Sequence, residues 1–384
     1  MSEVKNESRN PSLDGVRAIA CISVFCVHFM QLLHLDDRTS SISIRRLLEY
    51  GFGVSAFIIL SGAWIDRDRS DSERSIIGVL GYLCQKILRI CPLYYMVLCS
   101  SALFSILLSS GISVLDFVFH ALFVHNLSDK FLYSISPPFW YLGVQMQAYI
   151  VLALIAMWLP TGKGRRRARS LLLIFMAIAC WVAYGSLIHI IGGNNHGSML
   201  WFASNPMAVR HSVVAHLPNF LLAMAFSQQI LGGDVIKCKY RIGNDVAMVL
   251  LLTAMAWIGL SADEKDITYW SGRYCFPVLT IPSIYLVSLC SSGVFISSIL
   301  KLKFLVWLGR VSFPFYLVHY SILSVTLSVL AKINIGLIGL TRNTFVFLCA
   351  FGISMVLSFL LEKLNNWVHT HGLKVPNGFF VSKN

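Results

Sequence analysis

An arginine and a histidine interrupt the first apolar run of this 384-residue chain, SLDGVRAIACISVFCVHFMQLL. They are Arg17, near the start of the run, and His28, eleven residues further on. An α-helix turns about 100° per residue, so eleven residues complete about three turns and some 20° more. Both side chains would then share one helix face, about 16 Å apart along the axis. An ionisable group in such a run costs a few kcal/mol to bury in lipid and usually faces protein or water. Taken singly, Arg17 reads as an end anchor and His28 as a hydrogen bond between helices. A shared polar stripe points instead to a wet groove. Imidazole titrates near about 6.5, so it can take a proton from a hydroxyl and return it at neutral pH. A guanidinium can hold phosphates or a developing oxyanion. Acyl transfer from a thioester to an alcohol needs both abilities. Asp14, just ahead of the pair, can cap the helix or hold Arg17.

The elements that must carry this pair are apolar helices. Hydrophobic residues make up 56% of the chain and charged residues 13%, where an ordinary soluble domain has roughly 25%. Mean hydropathy is +0.70. Such a composition excludes a soluble fold of this length, and one helical membrane domain is expected over 13–362. The tails 1–12 and 363–384 are expected in the cytoplasm. About 20 apolar residues span a bilayer. Runs of that size lie at 13–34, 47–65, 92–113, 139–159, 170–191, 212–231, 244–262, 275–295, 311–331 and 343–362. Segment 114–127 is apolar but short, and is expected to be re-entrant or interfacial. If the N-terminus is cytoplasmic, 22 of the 31 Lys and Arg residues fall on the inner side. That asymmetry favours about ten spans with both termini inside. The net charge of +13 therefore reads as orientation in a membrane, with no nucleic acid as partner. The loop GKGRRRAR (162–169) reads as a topology anchor or as a contact to anionic lipid. The N-terminus lacks a cleavage pattern, so the first run is expected to be retained as a span. The ten cysteines are scattered and mostly apolar in context, unlike disulfides or metal ligands.

Other residues invite two readings each. Gly51, Gly53 and Gly62 allow close helix approach, with Ser61 as an interhelical hydrogen-bonder. Lys86 and Arg89 share a face at i, i+3, and either orient the chain or hold a nucleotide's phosphates. Pro92 would open the third span. Trp140 and Tyr141 suit an interfacial aromatic belt or a sugar-stacking platform. His319 follows Arg310 by nine residues, which puts it near mid-bilayer. It is either a structural hydrogen-bonder or the partner of His28. His125 followed by Asn126 could belong to another membrane acyltransferase superfamily, but the rest of that pattern is missing.

Five blocks in order carry a family resemblance. SLDGVRAIA and His28 resemble the opening of the integral-membrane acyltransferase-three family, the bacterial O-acyltransferases of surface polysaccharides and lipo-oligosaccharides. That family's Arg, ten residues, then His fits Arg17 and His28. GFGVSAFIILSGAWI (51–65), KILRICPLYY (86–95), FWYLGVQMQAYI (139–150) and LGRVSFPFYLVH (308–319) are similar to four further blocks. This chain departs from the family in two places. Gln145 stands where many members have Glu, so no acid–base role follows there. Lys86 stands with Arg89 where a pair of arginines is usual, and a lysine lacks the bidentate fork.

The resemblance implies a multi-pass transferase of the bacterial inner membrane that performs polysaccharide modification. Its donor would be cytoplasmic acyl-CoA, expected to be acetyl-CoA, with no metal. Its acceptor would be a sugar hydroxyl on a lipid-linked or polymeric glycan such as O-antigen or exopolysaccharide. Membrane lipids surround it. His28, Arg17 and His319 are the expected catalytic residues. Lys86, Arg89 and Arg17 are expected to bind the donor. Trp140, Gln145, Tyr149 and Ser61 are expected to bind substrate. Some relatives add a soluble catalytic domain; here transfer would be completed by the membrane domain. A proton-coupled carrier of a small metabolite is the alternative, although no paired broken helices mark the two halves.

Overall fold

A backbone surrounded by hydrocarbon must satisfy its own hydrogen bonds, which the apolar runs achieve by coiling. The computed structural model describes residues 10–34, 53–67, 75–107, 111–160, 162–191, 207–232, 241–261, 277–333 and 339–371. Among the described residues every regular element is a helix. In chain order they are α1 (Pro11–Leu32), α2 (Gly53–Arg67), α3 (Ile76–Leu107), α4 (Val114–Ala121), α5 (Trp140–Trp158) and α6 (Arg166–Ile191). Then come α7 (Val213–Ala225), α8 (Ser227–Gly232), α9 (Arg241–Ser261), α10 (Pro277–Ser292), α11 (Phe295–Leu300), α12 (Lys303–Arg310), α13 (Ser312–Ile333) and α14 (Gly339–His371).

A helix occupies each of the ten expected runs. Among the described residues, six are long and apolar enough to cross a membrane: α1, α3, α5 with its leading turn, α6, α13 and α14. Shorter apolar helices fill the other four runs, within α2, α7, α9 and α10.

The third run differs from expectation. Its helix begins at Ile76 and carries Pro92 inside rather than at its start. Proline removes one backbone donor, a loss that helices in a membrane tolerate. Lys86 and Arg89 consequently share one continuous helix with Pro92. At the other end of the chain, α14 continues to His371, so residues 363–371 are helical. Segment 114–127 forms α4 and a 3-10 turn at His125–Leu127. Eight residues of α-helix rise only about 12 Å, well short of a bilayer.

Helix α1 lies inside the bundle. Asn10 caps it by accepting a hydrogen bond from the Ser12 amide at 3.1 Å. Asp14, a candidate cap, is instead turned toward Arg17. The helix packs on α2, α10, α11, α12 and α13. Two glycines set how closely. A Cβ on Gly309 of α12 would run into the Asp14 carbonyl oxygen, and one on Gly15 into that of Leu300. Ser12 and Ser297 hydroxyls meet at 3.2 Å, and the Cys21 thiol donates to the Ser312 carbonyl at 3.3 Å. On α2, Gly62 has the role expected of it: a Cβ there would be 2.8 Å from Ala223 Cβ and from the Phe220 carbonyl. Gly51 lies outside the described residues.

Gly309→Val should push α12 off α1. A loss of about 1–3 kcal/mol is expected for such overpacking. Thermal unfolding in detergent measures it, and an unshifted midpoint would mean that this crossing is soft.

Candidate active site

The close α1–α12 crossing leads directly into α13, and α13 carries the second histidine. His28 Nδ1 lies 2.9 Å from His319 Nε2. The other ring nitrogen of His319, Nδ1, is 2.8 Å from the Tyr316 main-chain oxygen. His319 is 1% exposed, with Phe315 stacked parallel to it at 6.0 Å and Phe25 at 6.4 Å. His28 is half-buried, with Tyr320 edge-on to its ring at 5.4 Å. Of the two imidazoles, only His28 presents surface to a substrate.

Arg17 and His28 both keep accessible surface on one face of α1, while Ile19, Ile22 and Cys26 keep theirs on the opposite one. Between the two polar residues, Cys21 and Val24 are packed at 1% and 5% exposure. The structure therefore places Arg17 and His28 on a shared face and brings His319 to His28. Arg17 donates to the Asp14 carboxylate at 2.9 Å, and Arg310 approaches the same buried carboxylate at 4.0 Å.

A second polar group connects the two helices that face each other across the bundle. The Gln145 amide, as assigned, donates to Ser61 Oγ at 3.1 Å and to the Tyr149 hydroxyl at 2.7 Å. Lys86 Nζ lies over two tyrosine rings, 4.9 Å from Tyr82 and 5.5 Å from Tyr149. Arg89, on the same helix, is exposed. The Tyr141 hydroxyl sits beside Ser61 and within the field of Arg17. Its ring meets Phe57 at 6.3 Å and Tyr316 at 5.8 Å. Tyr316 in turn donates its hydroxyl to the Pro138 carbonyl, at the turn that leads into α5. Lys86, Tyr149, Gln145, Ser61, Tyr141 and Tyr316 thus form a chain of neighbours that ends at the histidine pair.

Trp140 is 7% exposed, and its neighbours are histidines. His211 is edge-on at 4.4 Å and His216 is tilted at 5.5 Å. Tyr133, at 40% exposure, meets His211 Nε2 through its hydroxyl at 3.1 Å. The sequence alone did not single out Tyr133, His211, His216, Phe57 or Tyr316 as site residues. Phe57 and Tyr316 did lie inside quoted blocks, which was the available signal.

Segment 114–127 forms its own buried cluster. Asp116 accepts from Ser134 at 2.7 Å and lies 3.0 Å from His120 Nδ1. His120 stacks on His125 at 4.0 Å. Burial lowers both imidazoles, and His125, beside His120, is pushed down to about 3. Asn126 donates to the His211 carbonyl at 2.9 Å and accepts from Gln147 at 2.7 Å. Those bonds knit the turn to α5 and to the start of α7, which is a structural task.

Gln145→Leu keeps the volume and removes both hydrogen bonds, leaving Ser61 and Tyr149 without their shared partner. A loss of about 1–3 kcal/mol is expected. Thermal unfolding of the purified variant reads it directly, and an unchanged midpoint would make this bridge incidental.

Residues 10–363 match the family model described as an acyltransferase domain. A protein named "Putative O-acetyltransferase" from Staphylococcus aureus (strain COL) is 22% identical over 329 residues, covering 82% of this chain and 50% of that protein. "Putative peptidoglycan O-acetyltransferase YrhL" from Bacillus subtilis (strain 168) is 24% identical over 332 residues, covering 82% and 48%. The chain spans about half the length of the curated relatives it matches. No solved structure matches it.

Proposed function

Because this chain belongs to the acyltransferase-domain family, we propose that it is a membrane O-acyltransferase that esterifies a sugar hydroxyl. One observation carries the chemistry: an accessible imidazole, His28, hydrogen-bonded at 2.9 Å to a buried one, His319. The donor is a cytoplasmic acyl-CoA, acetyl-CoA by preference, and it is consumed as a substrate. The acceptor is a cell-surface or secreted glycan. Names of relatives support both the acetyl group and, for one of them, a glycan acceptor. The chain has ten spans with both termini on the donor side, supported by the bias of Lys and Arg toward one set of loops. The host membrane is a bacterial inner membrane.

The residues present fit such a donor. Exposed Arg89 and half-buried Lys86 offer two cations on one helix face for phosphates. Arg17 adds a third, tempered by its bond to Asp14. Ser61, Gln145 and Tyr149 offer hydrogen-bonding groups along the route inward, and Trp140 closes the far side near the acceptor. His28 removes the proton of the attacking hydroxyl as the new C–O bond forms, and gives it to the departing sulfur as the C–S bond breaks. His28 can alternatively carry the acyl group between donor and acceptor. The chain's own contribution is the same in both routes: a positioned imidazole nitrogen in a site walled by aromatic rings.

His28→Ala should lower glycan acylation by about a hundredfold or more, the usual contribution of a positioned acid–base group. Membrane insertion should be unaffected. Mass spectrometry of surface glycans from cells with and without the variant measures this, and normal acylation would reduce His28 to a structural role. Lys86→Ala combined with Arg89→Ala should raise the donor KM about tenfold, or about 1.4 kcal/mol, and the acceptor KM much less. Equal effects on both would move the donor site elsewhere.

A further inference from the structure

We infer that His319 is a positioning residue which, anchored on the main-chain carbonyl of Tyr316, fixes the tautomer of His28 and makes His28 Nε2 the reacting atom. The inference rests on His28 being the group that handles the acyl transfer.

The argument starts at an atom that cannot donate. The Tyr316 carbonyl oxygen is only an acceptor, so the contact at 2.8 Å requires a proton on His319 Nδ1. A neutral imidazole holds one proton, so His319 Nε2 then carries a lone pair. A doubly protonated His319 is disfavoured. The ring is 1% exposed between Phe25 and Phe315, and among the described residues it forms no ion pair with a carboxylate. Burying an uncompensated charge there would be expensive. His319 Nε2 therefore accepts, and the proton in its 2.9 Å contact belongs to His28 Nδ1. In its neutral form, the one that can act as a base, His28 is then left with its lone pair on Nε2.

This assignment has a chemical consequence. A half-exposed histidine without such a partner divides itself between two tautomers, whose lone pairs point in different directions. Fixing one of them pre-sets the direction of proton or acyl transfer, as hydrogen bonding to the second ring nitrogen does in other histidine sites. In the transfer, Nε2 takes the acceptor's hydroxyl proton as the C–O bond forms, then returns it to the thiolate released when the C–S bond breaks. Nδ1 keeps its proton on His319 throughout. If the acyl group instead passes through the enzyme, Nε2 is the atom that bonds it. His319, buried behind His28, touches neither substrate. Its position depends on α1 and α13 keeping their spacing, which the Cys21 thiol bond to the Ser312 carbonyl helps to hold.

The test is nitrogen-15 NMR of the full chain, labelled at histidine and reconstituted in lipid nanodiscs, with the His28 signals assigned by their loss in His28→Ala. The expected resting spectrum has the His28 proton on Nδ1 and a bare Nε2. A proton resting on Nε2 would overturn the inference, and this measurement needs no variant of His319 to fold. His319→Leu should release the second tautomer of His28 and lower kcat about tenfold with little change in donor KM. His319→Gln, whose amide oxygen can still accept from Nδ1, should recover part of that loss. Equal tautomer mixtures and equal rates in the Leu and Gln variants would also overturn it. Failure of the function is separately visible: normal acylation by His28→Ala would remove the transfer chemistry even where the resting spectrum shows the fixed tautomer.

Discussion

Two backbones touch at Gly309 and Asp14 with no side chain between them. Helix association in a membrane gains little from hydrophobic burial, because the lipid is as apolar as the protein. Close packing and interhelical hydrogen bonds must supply the attraction. Gly15 against Leu300, Ser12 against Ser297 and Cys21 against the Ser312 carbonyl continue that contact along α1. The result is a helix sunk among five others, with little freedom to rotate or slide. Since α12 runs almost directly into α13, the same contact also sets where His319 stands relative to His28. A hydrogen bond between side chains 291 residues apart depends on a glycine that neither of them touches.

The polar groups within this apolar bundle are handled in three ways. Asp14, buried at 1% exposure, lies between Arg17 and Arg310, so the carboxylate is compensated where it stands. Removing one partner of such a set is expected to cost more than the set itself contributes, because a bare charge is left behind. Lys86 rests its ammonium on two tyrosine faces, which hold the charge near the interior. The histidine pair is joined by one contact between rings and anchored on a backbone carbonyl.

A chain of neighbours runs from Lys86 to Tyr316. It begins with cations on α3, crosses α5 and α2 through Tyr149, Gln145 and Ser61, and ends at Tyr316, which is tied both to His319 and to the turn before α5. Relatives about twice as long match this chain over about half of their own length.

The sequence by itself determined which segments are helical and that the chain needs an apolar surround, because both follow from composition and run length. It also determined that Arg17 and His28 lie on one face of α1, because helical geometry is local and periodic. The five blocks lie on α1, α2, α3, α5 with its leading turn, and α12–α13. What lies opposite each face was decided by the tertiary structure. Arg17 turned out to be engaged with Asp14 and Arg310, and Trp140 to be enclosed by His211 and His216. Pro92 entered the middle of a helix instead of starting one. His319, one of two readings in the sequence, became the partner of His28. The physical reason is the same each time. A residue's type and spacing set the direction of its side chain from its own helix, but only the close approach of backbones at a few small residues sets which helix it meets and at what height.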